Sequence, residues 1–302
     1  MKAILYIPLI LIILMPAGIE INGQQDKPPV FRTNVEVVNI LCTVRRKNDY
    51  ITDLTKEDFT VAEDGVPQEI TYFSLETDEN AQPLNIVLLV DTSGSVKDKL
   101  FFEQQAAAIF LEETLRKDKD LAAVVQFDSE INLAQDFTYD IDLLENSIES
   151  IRAGGATKLY DAIFVSVDEL LKHEVGRRVL VILSDGDDTQ SIVTDDEAIK
   201  VSQDNDVMIF GIGVQGGRSR ANFGKLKQFS RETGGLFFNS KARLENLREA
   251  FSKINLAIKN QYAIGYISTN QERDGSFREI KIEVKKRGME VAHRRGYYAP
   301  EL

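Results

Sequence analysis

The residues best equipped for chemistry stand in one short stretch, Asp91-Thr92-Ser93-Gly94-Ser95. It follows the apolar run Ile86-Val87-Leu88-Leu89-Val90, which reads as a parallel strand buried on both faces. Asp-x-Ser-x-Ser at the end of such a strand gathers one carboxylate and two hydroxyls in a single turn. These are hard oxygen donors, matched to Mg²⁺ or Mn²⁺ rather than to zinc or copper. The carboxyl ends of the strands are also where open α/β sheets bind ligands. Two later segments carry donors of the same kind. Gly154-Gly155-Ala156-Thr157 offers a hydroxyl on a glycine-rich loop before a helix. Val179-Leu180-Val181-Ile182-Leu183 runs into Ser184-Asp185-Gly186, a second apolar strand ending in a carboxylate. Asp and Ser before a helix also serve as N-caps, but capping accounts for neither of these later segments.

The elements that must position these residues alternate along the middle of the chain. Strand-like runs fall at 84–90, 121–127, 131–134, 179–184, 207–214 and 236–239. Helix-like runs fall between them at 98–117, 141–151, 158–173, 195–204, 223–233 and 243–259. In the first helix Phe102, Ala106, Ile109, Phe110 and Leu115 recur near helical spacing. Alternation of this kind predicts a doubly wound, mostly parallel sheet covered on both faces. The run at 131–134 follows a tight turn and is expected as an antiparallel edge strand.

Both flanks are strand-rich. Before the α/β region, Val35 to Val44 alternates with a phase slip that suggests a bulge or a second strand. Leu54 to Asp58 suits a short helical turn. Phe59-Thr60-Val61 and Ile70-Thr71-Tyr72-Phe73 flank Asp64-Gly65, a hairpin signal. After residue 260, Tyr262–Ser268, Phe277–Lys285 and Met289–Arg294 are candidate strands, with Gly275 and Gly288 in the turns. Neither flank makes a comfortable domain alone, whereas together they offer six or seven strands, about the size of a small β-sandwich. The expected division is therefore an N-terminal β segment at 24–82, an α/β domain at 83–257 inserted into the sandwich, and a C-terminal β segment at 258–302.

With its three strand-end segments in order, the region from about 83 to 257 resembles the von Willebrand factor type A domain and its metal-ion-dependent adhesion site. The resemblance implies that Asp91, Ser93 and Ser95 ligate a cation from the first loop, Thr157 from the second, and Asp185 from the third, directly or through water. It implies a binding or adhesion function in which the cation, Mg²⁺ or Mn²⁺, takes an Asp or Glu carboxylate of a protein partner. It also implies that ligand binding can move the final helix, here 243–259. Ser95-Val96-Lys97-Asp98-Lys99 resembles the integrin stretch that supplies a neighbouring metal site through two consecutive aspartates, and Lys99 departs from that pattern at the second. The inserted arrangement is similar to the integrin β-subunit. The whole chain resembles a bacterial family of exported proteins with a type A-related domain, which share a segment like Asp58 to Gly65 and a tail like Arg295-Gly296-Tyr297-Tyr298.

Length and charge narrow the alternatives. The 302 residues can hold two cores. A net charge of −12 without a basic stripe argues against nucleic acid as a partner. Residues 1–23 read as a secretory signal, with Lys2 ahead of an apolar run from Ala3 to Met15 and cleavage after Gly23 or near Gly18. An uncleaved signal anchor is the alternative and would be the only membrane contact. The protein is thus expected outside the cytoplasm, in a periplasm or the exterior. Cys42, the one cysteine, alternates with apolar residues and suits a buried strand.

Two other function classes compete. A scaffold subunit could use the cation only to stabilise its loops. A hydrolase could activate a metal-bound water, but no nucleophile and base are assigned, and His173 and His293 belong to no triad pattern and are expected at the surface. Gly211-Ile212-Gly213-Val214-Gln215-Gly216 matches a dinucleotide fingerprint in letters only, because its glycines fall inside a strand.

Overall fold

The computed structural model describes residues 37–301 apart from 48, 77–80 and 216–221. The expected signal at 1–23, the polar lead-in up to Arg32 and the Val35–Glu36 pair lie outside the described residues. The N-terminal flank supplies β1 (Val37–Arg46), β2 (Asp49–Tyr50), β3 (Phe59–Glu63), β4 (Val66–Gln68) and β5 (Ile70–Glu76). The α/β region supplies β6 (Leu84–Asp91), β7 (Leu121–Phe127), β8 (Ile131–Thr138), β9 (Arg177–Ser184), β10 (Val207–Gln215) and β11 (Phe237–Lys241). Its helices are α1 (Leu100–Thr114), α2 (Ile141–Ser150), α3 (Leu159–Val165), α4 (Asp195–Asp204), α5 (Gly224–Thr233) and α6 (Leu244–Lys259). The C-terminal flank adds β12 (Gln261–Ile267), β13 (Phe277–Val284), β14 (Glu290–His293) and β15 (Gly296–Tyr298).

The central sheet has the order β11-β10-β9-β6-β7-β8, parallel except for the edge pair β7–β8. Strand β6 is buried at every position, which explains its unbroken apolar run. Its alternate residues feed two cores. Leu84, Ile86, Leu88 and Val90 face α1, α2 and α6, while Val87 and Leu89 face α3, α4 and α5. Phe110 of α1 stacks on Phe251 of α6 with ring centroids 4.7 Å apart, a geometry that adds about 0.5–1.5 kcal/mol beyond area burial. Asp140 caps α2, and Thr194 with Glu197 forms a capping box on α4.

The flanks interleave into two antiparallel sheets, β14-β1-β12-β5 with β2 beside β1, and β15-β13-β3-β4. Val38, Ile40, Cys42 and Val44 alternate into the core between them. Cys42 is wholly buried, and burial pushes its thiol up to about 12. A buried polar cluster lies there too. Glu63 accepts hydrogen bonds from Tyr266 (2.7 Å), Tyr297 (2.9 Å) and Ser268, tying β3 to β12 and β15. The Asp58–Gly65 segment and the Tyr297 tail, remote in sequence, thus meet at one carboxylate.

Four sequence expectations change. The phase slip before Val38 makes no bulge in the described part of β1, which pairs with β12 in one unbroken register. The Asp64-Gly65 turn, both residues at positive φ, joins β3 to β4 rather than to the strand at 70–76. That strand crosses to the other sheet and pairs with β12, because two-residue periodicity records which face is buried and not which sheet buries it. On α1 the inward face carries Leu100, Glu103, Ala106, Ala107, Phe110 and Leu111, and leaves Phe101 and Phe102 exposed. His293 is part-buried, its Nε2 accepting from Ile282 N at 3.2 Å, whereas His173 is exposed.

Candidate metal centre

Asp91 ends β6 and Ser184 ends β9, two strands paired in register up to Val90 and Leu183. From β6 the chain passes to β7 on one side, and β9 lies on the other, so their carboxyl ends open a crevice at a topological switch point. Asp91 is fully buried. Its Oδ1 accepts from Ser93 N at 2.9 Å, which turns the loop back over the strand end, and its Oδ2 accepts from the Ser184 hydroxyl at 2.6 Å. The Ser93 and Ser95 hydroxyls are 3.0 Å apart. Ser95 donates in turn to Asp185 Oδ2 at 2.6 Å. A single chain of hydrogen bonds therefore runs from Ser184 through Asp91, Ser93 and Ser95 to Asp185.

The second loop is fastened to both of the others. Gly94 N donates to Gly155 O at 3.1 Å and Gly154 N to Thr92 O at 2.6 Å. Thr157 O accepts from the backbone of Thr189 and Gln190, and Thr157 N donates to the Thr189 hydroxyl. These bonds use the Thr157 backbone and leave its hydroxyl without a hydrogen bond among the described residues. The third loop turns at Gly186, whose φ of +86° and whose approach to Asn222 O, 2.5 Å from where a Cβ would stand, exclude a side chain. Gly186 N donates to the Ser184 hydroxyl at 2.9 Å.

Burial dominates the electrostatics. It raises the Asp91 carboxyl to about 6, against the opposing hydrogen bonds from Ser184 and Ser93, with Asp185 adding to the rise. Asp185 is 3% exposed, and its Oδ1 is buried without a hydrogen-bond partner among the described residues. Such an orphaned carboxylate oxygen is costly unless a cation or donor meets it. Two desolvated carboxylates and two joined hydroxyls form an oxygen donor set whose chemistry fits a hard divalent cation, and the spare Thr157 hydroxyl stands on the loop fastened beside it. No group of three or more His, Cys, Asp or Glu side chains suited to a metal occurs among the described residues, so hydroxyls have to supply the remaining protein ligands.

Three residues around the site have roles that the sequence reading does not assign. Ser184 was passed over as part of a strand, although a hydroxyl at the last position of a fully apolar run is itself a signal. Lys99 is 3% exposed; its ammonium donates to Val214 O at 3.0 Å and lies 3.7 Å from Asp185 Oδ2. Glu103, one turn further along α1, is 1% exposed with neither carboxyl oxygen hydrogen-bonded. Burial pushes it up to about 8, with Lys99 opposing and Asp91 and Asp185 adding. Asp98, by contrast, is exposed just ahead of α1. Of the fingerprint glycines, Gly211 and Gly213 lie within β10 and Gly216 lies outside the described residues. No helix among the described residues is long and apolar enough to cross a membrane.

Comparison with known proteins returns the same region. A family model described as the von Willebrand factor type A domain matches residues 85–253. No curated protein sequence matches the chain. Among solved structures, proximal thread matrix protein 1 from the mussel byssus is similar with a TM-score of 0.53 and 14% identity, over 65% of this chain and 51% of that one. A further structure of it, described as having a zinc occupied MIDAS motif, gives 0.51 and 16%, over 65% and 49%. An aerotolerance-related membrane protein from Bacteroides fragilis gives 0.49 and 17%, over 58% and 98%. The matched region is about half of the byssus protein, and at these identities the likeness is one of fold.

Proposed function

Because the chain belongs to the von Willebrand factor type A domain family, we propose that it is a binding protein of the adhesion type, whose site between β6 and β9 holds a divalent cation and engages an Asp or Glu carboxylate of a protein partner. Asp91, Ser93, Ser95, Thr157 and Asp185 would hold the cation, Mg²⁺ or Mn²⁺. The observation that carries the reading is the buried Asp185 Oδ1, without a hydrogen-bond partner among the described residues, at the end of the hydrogen-bonded chain Asp91–Ser93–Ser95–Asp185. The mussel byssus protein, with its zinc occupied motif, supports a cation at this place in the fold. When bound, the cation supplies an electrophilic position for a carboxylate oxygen.

The chain's own residues do the rest. Ser93 N and Ser184 fix the Asp91 carboxylate in one orientation. The two loop-to-loop backbone bonds at Gly154 and Gly155 keep the second loop against the first. The signal-like segment at 1–23 supports action outside the cytoplasm.

Thermal unfolding in Mg²⁺, Mn²⁺ or EDTA, beside Asp91→Ala, tests the proposal. A cation at a hundred times its dissociation constant stabilises by about 2.7 kcal/mol, and so raises the midpoint by roughly 5–10 °C where the α/β domain unfolds by itself and by about 4 °C where the whole chain unfolds together. The rise should vanish in Asp91→Ala. A midpoint indifferent to all three conditions would contradict the site. A cation-dependent rise together with failure to bind any acidic peptide or protein would favour the scaffold reading.

A further inference from the structure

Lys99 is the one cation among the described residues within ion-pair distance of the site's carboxylates. Buried lysines are rare because desolvating an ammonium is costly. This one is fixed from two sides, by Val214 O at the end of β10 and by Asp185 Oδ2 at the end of β9. The same Oδ2 accepts the Ser95 hydroxyl. One Asp185 oxygen is thus engaged twice by the protein, and the other, Oδ1, is left without a partner.

We propose, resting on the cation-binding reading above, that Lys99 is the specificity-determining residue of the site: its ammonium cancels the charge of Asp185, so that a bound divalent cation keeps a net positive charge and selects an anionic partner group. The arithmetic is direct. Counting the five ligand residues and Lys99 alone, Asp91 and Asp185 carry −1 each, Lys99 carries +1, and Ser93, Ser95 and Thr157 are neutral, which leaves −1; Glu103 and Asp187 also face Lys99 and Asp185, but they are common to the wild type and any Lys99 variant and leave the one-unit difference unchanged. A divalent cation brings this to +1. Without Lys99 the loaded site would be neutral and would hold the cation more tightly while attracting a carboxylate less. Lys99 trades metal affinity for attraction to anions, and does so from a buried position against Asp185 Oδ2 and Val214 O that leaves Asp185 Oδ1 unengaged. Glu103, one helical turn from Lys99, makes no hydrogen bond among the described residues, so the ammonium's partners there are Asp185 and Val214.

The test is a Mn²⁺ titration of the full chain by electron paramagnetic resonance. It is followed by titration of the loaded protein with acetate or N-acetylglutamate, read as the change in water proton relaxation. Lys99→Met keeps the length and removes the charge. It should bind Mn²⁺ roughly ten-fold more tightly than wild type and respond to either carboxylate several-fold more weakly. Lys99→Arg should stay near wild type. Unchanged or weaker Mn²⁺ binding in a folded Lys99→Met chain overturns the proposal. Wild type provides a second reading should that variant fail to fold: its Mn²⁺-loaded site must take up acetate or N-acetylglutamate where the metal-free site does not, and a loaded site that ignores both overturns the proposal as well. Absence of Mn²⁺ binding in wild type would instead overturn the underlying cation site, an outcome distinct from the other two.

Discussion

The Ser184 hydroxyl donates to Asp91 Oδ2 at 2.6 Å, locking the last residue of β9 to the last residue of β6. The same hydroxyl accepts from Gly186 N, so one side chain sets both the aspartate's orientation and the turn that presents Asp185. Ser184→Ala leaves a buried carboxylate oxygen and a buried N–H unpaired. It should cost about 1–3 kcal/mol in urea unfolding and weaken divalent cation binding. Stability and metal affinity both equal to wild type would show that the hydroxyl positions nothing.

The two buried carboxyls give the metal-free chain a recognisable pH dependence. Asp91 is raised to about 6 and Glu103 to about 8, in each case chiefly by burial. The folded chain therefore keeps protons that the unfolded chain has released. The stability these groups contribute is complete below the ordinary carboxylate range and is lost as pH rises through about 6 for Asp91 and about 8 for Glu103. Glu103→Gln should flatten the upper part of that loss, seen as a difference in thermal midpoint from wild type that grows between about pH 6 and pH 8.5. A cation requires Asp91 ionised, so the stabilisation by Mg²⁺ should grow from about pH 5 to pH 7. A cation effect independent of pH over that range would contradict the burial of Asp91.

Glu63 should be the most sensitive polar residue of the sandwich. Tyr297→Phe removes one of its three side-chain donors and should cost about 1 kcal/mol in urea unfolding. Glu63→Ala strands the hydroxyls of Tyr266 and Tyr297 together, while Ser268 keeps Asn270, and should cost about 2 kcal/mol or more. Equal effects of the two substitutions would mean that the cluster does not act as one network.

The inserted arrangement has a simple geometric basis. Gln261, the first residue of β12, pairs with Glu76, the last residue of β5, so the chain enters and leaves the α/β region at neighbouring points. Residues 83–257 should therefore fold alone, and β1–β5 joined to β12–β15 by a short linker should fold as the sandwich. Circular dichroism and cooperative thermal unfolding of both pieces would check this division. Failure of either piece to fold would show that the two parts depend on each other.

The sequence was most readable where both faces of an element are buried. Strand β7 begins and ends where its apolar run does, and α4 spans the expected 195–204. The Asp-x-Ser-x-Ser turn was readable because its donors lie within five residues and need no long-range contact to be recognised. Lys99 and Glu103 were not, because a hydrophobic pattern ranks charged residues as solvent-facing. Only the third dimension shows that this turn of α1 passes over the end of the sheet, where Asp185 is waiting for a counter-charge. Likewise Glu63 and Tyr297 are polar residues within strands, and nothing local says that they meet.

The lone Cys42 has a practical consequence. Its thiol is sealed between the two sandwich sheets and its proton is held well above the physiological range, so a thiol-reactive dye has nothing to label while the sheets stay closed. With no second cysteine in the sequence to confuse the signal, the rate of dye incorporation becomes a clock for the opening of the sandwich alone. Run with and without a divalent cation, that clock would reveal whether events at the far ends of β6 and β9 are felt by the sheets through which the chain enters and leaves.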